Sequence, residues 1–194
     1  MSYLHKNWPK MGMAAAFFIA LLLFFYPGST PWGFQWLFWL HVPVYMVHQF
    51  EEYVFPGGFQ KSLNQILGSA SSDFPATDER AFWINVPLVW VALPVAAIVG
   101  LRFIILPASL MVVSLVNGLL HVGMGIRQRA YHPGILASAF LNIPLGGYTL
   151  YRLAQTGTMG PIQLAIAAGL GVFAHALLPL YFIRLTRKGR PIVS

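Results

Sequence analysis

The sequence predicts an all-α membrane protein, a polytopic transmembrane bundle of about six spans with one short interfacial helix. The 194 residues are 57% hydrophobic and only 9% charged, whereas soluble domains are about 25% charged. Six apolar segments approach the roughly 20 residues that a spanning helix needs. No segment alternates polar and apolar residues over the length of a strand, as a membrane barrel requires.

The six segments follow one another along a single transmembrane domain, residues 1–194. Their hydropathy predicts spans at about Met11–Tyr26, Gly33–Phe55, Arg80–Leu101, Phe103–Ile126, Pro133–Leu153 and Pro161–Arg184. The first segment follows Lys6 and Lys10 as a signal peptide does, but no small-x-small cleavage site comes after it. We therefore expect the first segment to be retained as a helix.

The longest connection between spans, Pro56–Glu79, contains a short amphipathic pattern. Phe59, Leu63, Ile66 and Leu67 fall at i, i+4, i+7 and i+8, which places them on one face of a helix. This pattern predicts a short interfacial helix. A sharper alternative is that the helix also covers a site beneath it.

The basic residues are concentrated at one end of the predicted bundle. With a cytoplasmic N-terminus, only Arg102 and Arg152 fall outside the cytoplasm. This bias predicts a multi-pass protein of the bacterial inner membrane with both termini in the cytoplasm. It also accounts for the net charge of +7 without a nucleic-acid partner. The cytoplasmic residues are Lys6, Lys10, Lys61, Arg80, Arg127, Arg129, Arg184, Arg187, Lys188 and Arg190.

The end of the second segment carries the strongest functional signal. His48 and Glu52 are one helical turn apart, Tyr45 is on the same side, and Glu51 projects about 60° to the other side of His48. An acidic residue at mid-bilayer costs about 2.5 to 3.5 kcal/mol on insertion scales, so two adjacent acids need partners. His41 shares the face but lies about 10 Å further along the axis, which argues against its binding the same ion.

The predicted topology brings other polar residues to the same membrane depth. Asn85 begins the third span there, Asn117 and His121 end the fourth, His132 precedes the fifth, and His175 lies in the sixth. Imidazole and carboxylate groups from facing helices hold zinc or iron in helical bundles. The sequence therefore predicts a divalent-metal site. Its candidate ligands are His48, Glu52, His121, His132 and His175, with Tyr45, Asn85, Asn117 and His41 as neighbours that orient ligands or contact substrate.

Simpler roles for these residues remain open. A single histidine in a membrane helix commonly forms an interhelical hydrogen bond, and His132 could cap the helix that follows it. Either glutamate could pair with Arg127 or Arg129. The chain has no cysteine, which excludes disulfides, Cys-ligated zinc, iron–sulfur clusters and catalytic thiols.

Three motifs together carry a resemblance to a known family. They are His48-Gln49-Phe50-Glu51-Glu52, Asn117-x-x-x-His121 and His132-Pro133-Gly134. In this order, and in a small polytopic chain, they resemble the HXXEE-domain family of bacterial membrane proteins. The family name describes its motif, so the resemblance supports the choice of residues and implies no particular reaction.

The leading functional hypothesis is a metal-dependent membrane enzyme, a hydrolase of a lipid, isoprenoid or other amphipathic substrate that enters from the bilayer. Zinc is the favoured metal, held by His48, Glu52, His121 and a further histidine, with Glu51 as the catalytic base. One alternative is a two-iron oxidoreductase, although carboxylate-rich di-iron bundles offer more glutamates. Another is a proton-coupled transporter with a His/Glu relay. The sequence indicates no oligomeric state.

Overall fold

The computed structural model describes residues 3–25, 30–69, 71 and 73–188. Within these residues the chain forms seven helices and no strand, which confirms the all-α class. The helices are α1 (Tyr3–Phe25), α2 (Phe34–Tyr53), α3 (Phe59–Ile66), α4 (Asp78–Val99), α5 (Ile105–Gln128), α6 (residues 135–155) and α7 (Pro161–Lys188). Tyr26, predicted to end the first span, and Arg190, predicted to be cytoplasmic, lie outside the described residues.

Four of the described helices, α1, α4, α5 and α7, are long and apolar enough to cross a membrane. Large apolar side chains are exposed on their outer faces, such as Phe18 and Leu22 on α1 and Phe173 and Leu180 on α7. Soluble monomers rarely expose apolar surface to this extent, so these faces are suited to contact lipid. The predicted total of six spans is not confirmed.

Helices α2 and α6 are not among these four. The 20 residues of α2 include two Glu, two His and two Gln, and twelve of them are buried. A π-helical segment, Ser138–Asn142, separates the two α-helical parts of α6, Ile135–Ala137 and Ile143–Gln155. Because twelve of its 20 residues are buried, α2, which carries the acid pair, is largely enclosed by protein.

The packing around α2 determines where its polar side chains lie. Helix α1 packs along α2, and α5 packs along α6 and α7. A Cβ atom at Gly171 of α7 would stand 2.6 Å from the backbone oxygen of Ser109 on α5, so glycine permits this close helix crossing. The core cluster that joins α1, α2, α4 and α5 includes Ala16, Val42, Met46, Val89 and Met111.

The short helix predicted in the longest connection is present as α3. The buried side chain of Asn64 holds the segment after it, because its Nδ2 donates to the Ala76 carbonyl at 3.1 Å and its Oδ1 accepts from the Ala76 amide at 2.8 Å. Gln60 Nε2 also donates to Asp78 Oδ1 at 2.8 Å. These bonds attach α3 to the beginning of α4.

Candidate metal centre

Two histidines and one glutamate meet in the interior of the bundle. Glu52 Oε1 lies 3.4 Å from His48 Nε2 on the same helix and 3.0 Å from His121 Nε2 on α5. All three residues are buried, and one possible ligand atom of each lies within 4.8 Å of the others. Tetrahedral ligands about 2 Å from a zinc ion are about 3.3 Å apart. The three residues can therefore hold one metal ion.

The second ring nitrogen of His121 fixes the orientation of its imidazole. His121 Nδ1 lies 2.7 Å from the carbonyl oxygen of Pro133. Because this oxygen can only accept a hydrogen bond, Nδ1 carries the hydrogen and Nε2 of the neutral ring directs a lone pair toward Glu52. A lone pair and a carboxylate oxygen repel each other unless a proton or a metal ion lies between them. Metal-binding histidines typically donate their other N–H in this way.

The imidazole of His48 is held from two other helices. Its Nδ1 lies 3.4 Å from Ser138 Oγ on α6, and its Nε2 lies 2.9 Å from Asn117 Nδ2 on α5. Asn117 is one turn before His121, so one face of α5 contacts both His48 and Glu52. The completely buried His48 ring is therefore fixed with Nε2 toward the other two residues of the group.

A cavity of about 270 Å³ adjoins Glu52 and His121, and His132 and His175 also line it. The rings of His121 and His132 are 5.3 Å apart between centroids. Burial lowers the pKa of His132 below its usual value, so its imidazole is neutral near pH 7. Among the described residues, the group close enough to hold one ion contains neither His132 nor His175. The structure places these two predicted ligands in the cavity wall.

Helix α3 covers this cavity. The Phe59 ring lies 5.3 Å from the His121 ring and 6.2 Å from the His132 ring, between centroids. Ser62 Oγ lies 3.4 Å from His132 Nδ1, and Leu63 lines the cavity. This geometry agrees with the alternative that the amphipathic helix covers a site.

A polar network beside the cavity includes two residues that were not predicted as site residues: Tyr53, which lines the cavity, and Gln49, which lies behind the wall. Gln49 Nε2 donates to Asn85 Oδ1 at 3.1 Å, and Asn85 Nδ2 donates to the Tyr53 hydroxyl at 3.1 Å. The predicted neighbours Asn85, Tyr45 and Asn117 all line the cavity. Gln49 and Tyr53 are four residues apart on α2, and this helical spacing was the available signal for both.

The family comparison agrees with these motifs. A family model described as "Protein of unknown function with HXXEE motif" matches residues 39–149. The chain belongs to this HXXEE family. The matched region contains the three residues of the candidate centre and His132, and it ends before α7 and His175. No curated protein and no solved structure matches the chain.

The first glutamate of the HXXEE motif, Glu51, contacts the turn before α6 and the beginning of that helix. Its Oε1 accepts hydrogen bonds from the Tyr131 hydroxyl at 2.7 Å and the Leu136 amide at 2.9 Å, and its Oε2 accepts from the Ala137 amide at 2.6 Å. Glu51 is absent from the residues that line the cavity in the described part of the chain. A carboxylate here satisfies unpaired N–H groups at the start of α6. These contacts make Glu51 an anchor of α6, and its predicted role as catalytic base stays an untested prediction.

Tyr131 contributes to the same anchor from the turn before α6. Burial raises the pKa of its hydroxyl well above the usual value, and its hydrogen bond to Glu51 raises it further. The hydroxyl therefore stays protonated and donates to the carboxylate. Glu51 thus fixes both ends of a short segment, residues 131–137, that contains His132 and the Pro133 carbonyl.

His41 does not reach the candidate centre. Its Nε2 lies 3.3 Å from Thr149 Oγ1 on α6, and the ring is completely buried. Its other nitrogen, Nδ1, has no hydrogen-bond partner among the described residues. His41 thus lies outside the group of His48, Glu52 and His121, and its predicted role beside the site stays a prediction.

Proposed function

We propose that this HXXEE protein is a zinc-dependent membrane hydrolase in which His48, Glu52 and His121 bind one metal ion. The observation that carries this proposal is the buried group of two imidazoles and one carboxylate beside an apolar cavity. Two His and one Glu are the ligands of well-known hydrolytic zinc sites, and three protein ligands leave a position for water or substrate. Zinc in such a site makes bound water a nucleophile near neutral pH.

The groups around the metal supply the remaining chemistry. A metal ion held by His48 Nε2 would take the place of the hydrogen bond from Asn117, and the Asn117 amide, which lines the cavity, would then be free to donate to a substrate carbonyl oxygen. His132 takes the role of base, because its ring is near His121 and lines the same cavity. Its Nδ1 is close to Ser62, and its Nε2 remains to accept a proton from the attacking water.

The proposed enzyme lies in the bacterial inner membrane as one domain. Its four long apolar helices support a membrane location, and the enclosed α2 and α6 would add two crossings, which gives six spans. The ten-to-two distribution of basic residues supports cytoplasmic termini. The amphipathic substrate enters from the bilayer.

A matched pair of variants tests the metal site. We expect purified wild-type protein to contain about one zinc per chain by elemental analysis, and the His48→Gln variant to contain almost none. His41→Gln changes another fully buried histidine of the same helix outside the group, and it should retain the metal. Equal zinc contents in the two variants would refute the assignment of His48.

Iron is the second candidate, because two His and one carboxylate also bind the Fe(II) of oxygen-activating enzymes. The described residues contain one group close enough for an ion, which favours a single iron over the two-iron oxidoreductase. Iron in the purified protein, together with oxygen consumption that His48→Gln abolishes, would replace the hydrolase by an oxygenase.

A further inference from the structure

The cavity beside the candidate centre has mostly hydrocarbon walls. Four helices supply these walls, with Leu63 from α3, Leu88 from α4, Met124 from α5, and Leu178 and Phe182 from α7. Apart from the His and Glu side chains, the described polar residues of the lining are amides and tyrosines. Such a surface binds an apolar chain through the hydrophobic effect.

The rim of the cavity is apolar as well. Among the described lining residues, those that are exposed are Ile66, Leu120 and Pro179. Ile66 is 46% exposed and Leu120 is 51% exposed. A hydrocarbon chain can pass this rim without leaving apolar surroundings, so the cavity is accessible to molecules dissolved in lipid.

The charged residues around the cavity indicate which substrate head groups it can bind. Glu52 is the one charged residue among the described lining residues, and no Lys or Arg is among them. Of the basic residues directly adjacent in sequence to the lining, Lys61 is exposed, and Arg80 is half-buried with its guanidinium donating to the Pro75 carbonyl. A phosphate carries about −1.5 to −2 charges at pH 7 and is typically bound by Arg or Lys. One metal dication beside Glu52 leaves too little positive charge for a phosphate, whereas an uncharged carbonyl needs none.

The volume of the cavity limits the length of the chain. A cavity of about 150 Å³ lined by apolar side chains holds one benzene molecule. By proportion, about 270 Å³ holds roughly ten carbon atoms. One medium-length chain fits this space, and the two long chains of a phospholipid do not.

From these observations we propose that the cavity binds the acyl chain of an uncharged single-chain ester or amide, with the carbonyl at His48, Glu52 and His121. This inference rests on the proposed hydrolase for its reaction, but chain binding itself needs no metal. In the reaction, the hydroxyl of water adds to the acyl carbon and the C–O or C–N bond breaks. The remaining proton of the water goes to the departing alcohol or amine.

Photoaffinity labelling in lipid nanodiscs tests the binding directly. The probes are methyl decanoate and decyl phosphate, each with a diazirine on the chain. We expect methyl decanoate to label residues of the cavity wall, and decyl phosphate to label them at least about tenfold less, because an uncompensated charge is costly among apolar groups. Equal labelling by the phosphate would overturn the proposed head-group class.

Two adjacent leucines of α7 provide the matched control. Leu178 lines the cavity, whereas Leu177 is not a lining residue and is 49% exposed. Leu178→Trp fills the cavity and should reduce labelling by about tenfold, because overpacked sites exclude additional groups; Leu177→Trp should leave it unchanged. Ala81→Leu narrows the cavity from α4 and replaces Leu178→Trp if that variant does not fold. Unchanged labelling in the folded cavity variant contradicts this binding site.

The variant His48→Gln separates binding of the acyl chain from binding of the metal. His48→Gln removes a proposed ligand but leaves the hydrocarbon walls, so methyl decanoate should still label residues of the cavity wall in this variant. If labelling persists while no zinc is found in wild type, the cavity assignment stands and the metal site fails. If zinc is bound but the cavity variants label normally, the metal site stands and the substrate class is wrong.

Discussion

The two adjacent glutamates of α2 occupy different surroundings. Glu52 faces His48, His121 and the cavity, whereas Glu51 accepts three hydrogen bonds from residues 131–137. Consecutive residues of a helix point about 100° apart, so two acids in sequence meet different neighbours. Glu51 is thus satisfied by N–H and O–H donors, whereas Glu52 needs a proton or a metal ion between its carboxylate and the imidazole nitrogens.

The surroundings of Glu51 and of Glu52 are connected through the segment of residues 131–137. The segment held by Glu51 contains Pro133, whose carbonyl oxygen accepts the hydrogen bond from His121 Nδ1. It also contains Gly134, which lies directly against the two imidazoles. Glu51 therefore supports the orientation of His121 without contacting it. The acid pair in the motif combines a candidate ligand with an anchor for the surroundings of that ligand.

The largest expected effect on metal binding comes from Glu52→Gln. Loss of a direct ligand should weaken zinc binding by more than about 100-fold, because outer partners of ligands alone contribute about 10- to 100-fold. Zinc titration of purified protein measures this effect. If the variant binds zinc as tightly as wild type does, Glu52 is not a metal ligand, and the proposed difference between Glu51 and Glu52 is wrong.

We expect Gly134→Ala to weaken zinc binding by an intermediate amount, because Gly134 lies between the segment held by Glu51 and the two imidazoles. Gly134 has φ +90°, and a Cβ atom there would lie 2.8 Å from His48 Cε1 and 2.9 Å from His121 Cε1. Displaced imidazoles should weaken zinc binding by about 10- to 100-fold. Gly157→Ala is the control, because Gly157 has φ +67° but nothing within 4 Å of the added Cβ. If the two variants bind zinc with similar affinities, contact between the added Cβ atom of residue 134 and the imidazoles does not affect metal binding.

The smallest effect on zinc binding is expected from Glu51→Gln, with less than about a tenfold loss, because Glu51 acts through the Pro133 segment. Its main effect should be on folding, because the amide of Gln offers a donor where backbone donors need an acceptor. The loss of charge-assisted hydrogen bonds should lower the free energy of unfolding by about 1.5 to 3 kcal/mol. Thermal unfolding in detergent micelles measures the change.

Tyr131→Phe is the matched control for Glu51→Gln, because it removes one of the three hydrogen bonds to the carboxylate. Tyr131 is 44% exposed, so the expected loss is about 0.5 to 1.5 kcal/mol. If Glu51→Gln unfolds like wild type but loses its zinc, Glu51 belongs to the metal site and the contrast between the two acids is wrong.

The sequence by itself determined the helical class and most of the residues around the candidate centre. Apolar segments of spanning length exclude other folds, and the i, i+4 pairs His48–Glu52 and Asn117–His121 define helix faces wherever the helices pack. The amphipathic spacing of Phe59 and Leu63 likewise placed α3. These are properties of single helices, and local sequence determines them.

Only the tertiary structure decided the partner of each polar side chain. The spacing of Glu51 was compatible with a base, and contacts with α6 assigned it to an anchor. His132 and His175 were equivalent candidate ligands in the sequence, and the packed structure brings both to the cavity wall, His132 from the turn before α6 and His175 from α7. The rotation of one helix against another depends on interdigitating side chains from both. A shared ligand set therefore becomes visible only when the helices have packed.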